Sequence, residues 1–263
     1  MRPEVLLFDI GNTSVKIGMA NRQDVLTSYT LSTDTTQTAD NLGLTLLHLL
    51  AHAGVEARQI AACVLSSVSP LFDPLLREAV NRYLNCPLYR VGRELPVPLQ
   101  NCYERPEEVG EDRLVGAYAT RRIFPQVPSL LVVDFGTAMT IDCVREDAYL
   151  GGLIFPGPHT ALAALSKEAA RLPRIDLDVQ EREPVPGRST VMSMKHGLVF
   201  GFACMVEGLV ARLKQQLTAP CIVVGTGGFA PAIAKVSPVF DHISPLLLLK
   251  GLHTLYYEGT ARA

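Results

Sequence analysis

A chain of 263 residues, 48% of them hydrophobic, is long enough for one large domain or for two lobes with separate cores. Its 26 acidic residues nearly balance 24 basic ones, and the formal charge of −2 comes with no basic run or stripe, so no nucleic-acid partner is expected and a small molecule is favoured. Six cysteines, Cys63, Cys86, Cys102, Cys143, Cys204 and Cys221, show no C-x-x-C spacing, and several sit in apolar runs, as reduced thiols of a cytoplasmic protein would.

The first strand is expected near 4–10, almost at Met1, which leaves no room for a signal peptide. Strands near 13–20 and 24–32 follow, and the stretch "DIGNT" lies between the first two. Gly-Asn accepts positive φ and suits a tight hairpin, so the order is strand, turn, strand. A P-loop or a Rossmann turn needs strand, glycine-rich loop, helix, and both are excluded here. On their own, Asp9 and Asn12 read as turn residues that bond their own backbone. A helix near 37–53, a strand near 59–67, a helix near 71–85 and a short strand near 87–91 complete the first lobe. His48 and His52 stand a helical turn apart, but no third metal ligand is evident and they read as a solvated face. The proline- and glycine-bearing segment 91–114 reads as extended loop. Asp112 and Arg113 then follow Gly110 where helical periodicity begins, with Leu114, Ala117 and Tyr118, so the acidic residue falls in a helix first turn.

The stretch "SLLVVDFGTAMTIDCV" repeats the opening device: an apolar run, Asp134, Phe135, Gly136, Thr137, then alternation. Strands near 129–135, 138–145 and 148–154 precede a helix after Pro156-Gly157, with His159 placed in a loop. The proline-rich loop 178–190 leads to a long helix near 190–217, a strand at 220–225, the glycine turn "VGTGGFA" and closing helices. The apolar stretch 197–210 carries Glu207 and reads as too short to span a bilayer, so no membrane role is expected. Gly197 and Gly201 mark that helix as a close-contact face and a dimer seam.

The repeated order defines an α/β protein of two ribonuclease-H-like lobes, each a βββαβα unit, divided at 1–115 and 116–263, with a nucleotide cleft expected between them. Turn amides with the hydroxyls of Thr13 and Thr137 suit phosphate, and Lys16 adds a cation. Asp9 and Asp134 would repel a bare phosphate, so a cation must intervene and the ligand is a nucleotide with its metal. Gly227 and Gly228 read as a strand-to-helix turn whose bare backbone lets a nucleoside lie flat.

Taken together, "DIGNTSVK", "NCYERPEEVGEDR", "VVDFGTAMTID", "GGLIFPGPHTALAAL", "RLPRI" and "VGTGGFA", in this order over nearly the whole chain, resemble the type III pantothenate kinases. That family belongs to the actin-like, sugar-kinase-like superfamily. The resemblance implies ATP-dependent phosphorylation of pantothenate, the first step towards coenzyme A, with Mg2+, a monovalent cation (K+ or NH4+) and a homodimer. It implies that Asp9, Ile10, Gly11, Asn12, Thr13, Ser14, Val15 and Lys16 bind the ATP phosphates, with Thr137, Gly227 and Gly228 also on the nucleotide. Asp112 would accept the proton; Tyr103, Gly110, Glu111, Asp112, Arg113 and Thr190 would line pantothenate; Asp134 would hold the monovalent cation. Arg113 and the helix first turn should keep Asp112 ionised. Three departures stand out: Glu111 where the family has a small or apolar residue, Val109 in place of leucine, and "SKEAA" without a threonine ahead of "RLP". Glu111 is expected to weaken the binding of an anionic substrate. Two other readings remain, a non-catalytic relative acting in gene regulation and another kinase or phosphohydrolase of the superfamily. The retained Asp112 argues against the first, and the tyrosine-to-"GEDR" loop against the second.

Overall fold

The computed structural model describes residues 3–168, 173 and 175–260; Arg171, Leu172 and Arg174 of "RLPRI" lie outside the described residues. The chain divides into two compact units drawn from interleaved segments. One comprises Met1–Pro98, Arg105–Ala119 and Leu247–Ala263, the other Leu99–Glu104 and Thr120–Leu246.

In the first unit β1 (Val5–Ile10), β2 (Ser14–Ala20) and β3 (Val25–Ser32) form an antiparallel meander, and β4 (Ala62–Ser67) and β5 (Leu88–Arg90) add in parallel, giving the order β3-β2-β1-β4-β5. Leu6, Phe8 and Ile10 alternate onto one face with Ile17 and Leu65, where they meet Leu42, Leu46 and Leu50 of α1 (Ala39–His52) and Leu76 of α2 (Asp73–Ala79). The Thr38 side chain caps α1 by accepting from the Asn41 amide at 3.2 Å. The helix expected over 71–85 is two pieces, α2 and a π-helical turn over Val80–Leu84 closed by left-handed Asn85.

The closing helix α7 (Leu247–Thr260) belongs to this first unit, which is why a single division at residue 115 does not describe the chain. Leu249 of α7 packs over Gly18, and three hydrogen bonds tie the helix down. Tyr257 donates to Glu4 at 2.8 Å, Tyr118 donates to Glu258 at 2.8 Å, and the His253 Nε2 meets the Asn21 carbonyl at 2.8 Å. Tyr118 lies on α3 (Glu111–Ile123), which starts in this unit.

The second unit repeats the plan. β7 (Ser129–Phe135), β8 (Ala138–Arg145) and β9 (Ala148–Pro156) form the meander, and β10 (Cys221–Gly227) and β11 (His242–Ile243) add in parallel. Its sheet order is β11-β10-β7-β8-β9-β6, the first order with one extra edge strand, β6 (Gln100–Asn101), drawn from the expected loop. Leu131, Val133 and Phe135 face α5 (Thr190–Lys214) and α6 (Ala230–Ala234), and α4 (Pro158–Glu168) adds Leu162. The long helix expected near 190–217 is α5, and the reading of its apolar stretch as too short to span a bilayer is corrected: with 25 residues it is long and apolar enough to cross a membrane by length and composition. It buries Val199, Phe200, Ala203, Val206 and Val210 among its residues.

Candidate active site

The first hairpin is closed by the Gly11 amide, which donates to the Ser14 carbonyl at 2.9 Å, and is braced by Thr33, whose Oγ1 donates to the Gly11 carbonyl at 2.8 Å. Asn12 and Thr13 at its tip are exposed. Ile10 and Val15 are buried in the core, so they can offer a ligand only their backbone. Asp9 is 8% exposed and lies on the face opposite Phe8. The sheet sets it between Lys16 on β2 and Ser66 on β4, with Lys16 Nζ 3.8 Å from its Oδ2.

The second hairpin places Asp134 at the matching position, between Thr140 on β8 and Thr226 on β10. Thr137 is exposed at the tip, and its carbonyl is fixed by the Gly157 amide at 2.9 Å and the Thr160 hydroxyl at 2.7 Å. Gly227, at φ +86°, packs so closely on this strand that a Cβ would collide with Asp134 Oδ1 and stand 2.5 Å from the Phe135 carbonyl. Gly228 is exposed beside it. His159 is not in a loop as expected: it sits in the first turn of α4, edge-on to Phe229 at 5.7 Å, next to the glycine turn.

Gly110 opens α3, its carbonyl accepting from the Arg113 amide at 3.1 Å. A side chain at Gly110 would put a Cβ 2.5 Å from Asp112 Oδ1, and that oxygen also accepts from the Arg113 amide at 2.8 Å. Burial pushes the Asp112 carboxyl above its ordinary value, and the Arg113 amide and guanidinium only partly oppose this. Arg113, expected to favour the ionised form, does pull the carboxyl down, but burial has the larger influence on it.

Glu111 is engaged within the first unit. Its Oε1 accepts from Arg90 Nε at 2.9 Å and its Oε2 from the Ser67 amide at 3.1 Å, while Arg90 Nη1 pairs with Asp73. The Glu111 side chain thus clamps the start of α3 to the ends of β4 and β5. Burial raises its carboxyl and Arg90 pulls it back. Neither Arg90 nor Asp73 was singled out by sequence, because the partners stand far apart in the chain and only the parallel β4–β5 pairing unites them.

Tyr103 falls in the second unit and the Gly110–Arg113 turn in the first. The Tyr103 ring covers the backbone of Gly151 and lies 6.5 Å from Tyr149, whose hydroxyl donates to buried Asp142 at 2.8 Å. Thr190 is exposed as the first residue of α5, after Ser189, whose side chain caps the helix by accepting from Met192 at 3.2 Å. The loop before it is tied to α5 by His196: Nδ1 accepts from the Val185 amide at 3.2 Å, which leaves the proton on Nε2 to donate to Glu181 at 3.2 Å. Among the described residues no group of three or more His, Cys, Asp and Glu could cage a metal.

The fold is that of the actin-like ATPases and sugar kinases. A polyphosphate/ATP-glucomannokinase from Arthrobacter superposes with a TM-score of 0.51 at 13% identity, covering 100% of both chains. A Baf-family transcriptional activator from Campylobacter jejuni does so with 0.58 at 19% identity, over 97% of this chain and 99% of that one. Sequence narrows the class. The family model for type III pantothenate kinase matches residues 5–212. A type III pantothenate kinase of Desulfovibrio desulfuricans is 70% identical over 98% of each chain, and one of Nitratidesulfovibrio vulgaris is 56% identical over 100% of each. The chain belongs to the type III pantothenate kinase family. It is accordingly a kinase, and its reaction is the phosphorylation of pantothenate in coenzyme A biosynthesis.

Proposed function

We propose that Asp112 is the proton acceptor and that the two hairpins divide the handling of ATP between them. With Oδ1 held by the Arg113 amide, Oδ2 takes the proton from the primary hydroxyl of pantothenate as its oxygen bonds to phosphorus. The observation that carries this reading is the half-buried carboxyl in the first turn of α3, with Oδ1 held by the Arg113 amide: burial makes it more basic than an exposed aspartate, as suits a proton acceptor. Tyr103, Gly110, Arg113 and Thr190 are the proposed pantothenate contacts, Arg113 supplying the charge that meets its carboxylate. Glu111 supports α3 in this reading; its partner Arg90 offsets the repulsion that a second carboxylate would bring.

Asn12, Thr13, Ser14 and Lys16 are the proposed phosphate contacts, with backbone contributions from Ile10, Gly11 and Val15. Asp9 fits Mg2+: one buried carboxylate beside an exposed turn, with no protein cage among the described residues, suits an ion that keeps its waters and takes phosphate oxygens. The bound ion would neutralise charge on the transferred phosphoryl group. Asp134 fits a monovalent cation, since its flanking residues in the sheet are the neutral Thr140 and Thr226. Thr137, Gly227 and Gly228 complete the nucleotide contacts, the close approach of Gly227 leaving a bare surface there.

A homodimer in the cytoplasm completes the reading. Gly197, Gly201, Cys204, Gly208 and Ala211 form an exposed row along α5 at alternating spacings of four and three, the pattern of a helix seam. Beside it Phe155, Pro156, Ala161, Leu198, Phe202 and Met205 line an apolar groove of about 250 Å³. A coupled assay of ATP consumption with and without pantothenate tests the site: stimulation that is lost in Asp112→Asn supports it, and stimulation that survives the change removes Asp112 from the role. Light scattering that shows only monomer at micromolar protein would remove the dimer.

A further inference from the structure

Cys63 on β4 and Cys86, two residues before β5, take no part in the site above. Their Sγ atoms are 3.6 Å apart. Cys63 is fixed by the sheet and tied to the residues that follow Cys86, its amide donating to the Pro87 carbonyl at 2.8 Å and Cys63 standing in register with Leu88. Cys63 is fully buried, whereas Cys86 is partly exposed, just after left-handed Asn85. A partly exposed thiol with a buried partner at contact distance is the arrangement of an attacking and a resolving cysteine.

We propose that Cys63 and Cys86 form a reversible redox site, converted by a peroxide into a disulfide that joins β4 to β5. In the first step the Cys86 thiolate attacks a peroxide oxygen; the O–O bond breaks, an alcohol or water leaves, and Cys86 carries a sulfenic acid. In the second, Cys63 Sγ attacks the Cys86 sulfur, the S–O bond breaks, and the Cys63 proton leaves with the oxygen as water. Two thiols lose two electrons and two protons, and the peroxide takes them up. The hydrogen bond from Cys63 holds the Cys86 thiol below its ordinary value while burial pushes Cys63 up, which gives the accessible sulfur the first step. Closing the sulfurs to about 2.05 Å moves them by less than a Cα–Cα step.

The test uses the full chain carrying Cys102→Ser and Cys204→Ser, which removes the exposed thiols. After hydrogen peroxide, quenching, and alkylation under denaturing conditions, mass spectrometry should find two thiols protected and a peptide cross-link between positions 63 and 86. The intact mass before alkylation should fall by about 2 Da, and dithiothreitol should restore it. In Cys63→Ala the cross-link should vanish and Cys86 should proceed to sulfinic acid, about 32 Da heavier. Cys86→Ser, at the partly exposed position, is the second variant and should show no loss at Cys63. If both thiols still alkylate after peroxide, or if Cys86 over-oxidises equally fast with and without Cys63, the proposal is wrong.

Discussion

Asp9 and Asp134 each stand one residue before the end of the first strand of a meander, followed by one apolar residue and a glycine, yet the sheet puts different company beside them. Across the ladder from Asp9 is Lys16; across from Asp134 is Thr140. On the parallel side stand Ser66 and Thr226. The backbone device is shared, and the side chain opposite the aspartate sets its charge balance. The first hairpin carries a cation of its own and suits phosphate. The second has the neutral Thr140 and Thr226 at the neighbouring register positions, which accords with the proposed cation site.

Mutations that change one side of this comparison should act in graded order. Asp112→Asn, outside both hairpins, keeps shape but cannot accept a proton; turnover should fall by about 10²-fold or more while the apparent ATP affinity hardly changes, read in the coupled assay. Its stability should move the other way. Because burial raises the folded carboxyl above its unfolded value, the ionised group disfavours the fold as pH rises through the folded pKa. Asp112→Asn should therefore melt higher at neutral pH, and the gain should vanish at about pH 4 and below. The acid limb of the wild-type kcat/KM profile should likewise lie above the range of an exposed aspartate.

Lys16→Thr gives the first hairpin the cross-strand partner of the second. The KM for ATP should rise by about 10- to 100-fold, the range of one charged hydrogen bond, with pantothenate affinity retained. Asp134→Asn should raise the potassium concentration needed for half-maximal activity by about 10-fold, seen as a shifted activation curve. If Lys16→Thr altered potassium dependence and Asp134→Asn did not, the division of labour would be reversed. The smallest effect is expected from Glu111→Gln, which keeps an acceptor for the Ser67 amide and discards the charge facing Arg90: a few-fold loss of turnover, with no loss of stability at neutral pH by denaturant melts, because burial raises the folded Glu111 carboxyl above its unfolded value.

Most of this was legible where the pattern is local. The apolar run Leu6, Leu7 and Phe8 and the alternation of Val15, Ile17 and Met19 announce two strands, Gly-Asn announces the turn between them, and the same arrangement recurs at Asp134. β6 and β11 were not legible, since two residues carry no periodicity and pair only because a neighbouring strand offers an edge. The upward push on the Asp112 carboxyl was not legible, because the sequence displays Arg113 next to it and cannot display burial, the larger influence. The contact of Glu111 with Arg90 was not legible for a related reason: the two stand 21 residues apart in the sequence and meet only through the fold.

The position of α7 bears on how the molecule is made. The strands of the first unit are made before those of the second, yet that unit is covered by a helix made after them, with Tyr257 bonded to Glu4. Domains usually fold in the order of synthesis. Here the second unit's segments, up to Leu246, are all translated before the helix that seals the first sheet. The apolar surface around Gly18 and Leu7, which Leu249 later occupies, therefore stays open throughout elongation and is the stretch of a nascent chain on which a chaperone would have reason to rest.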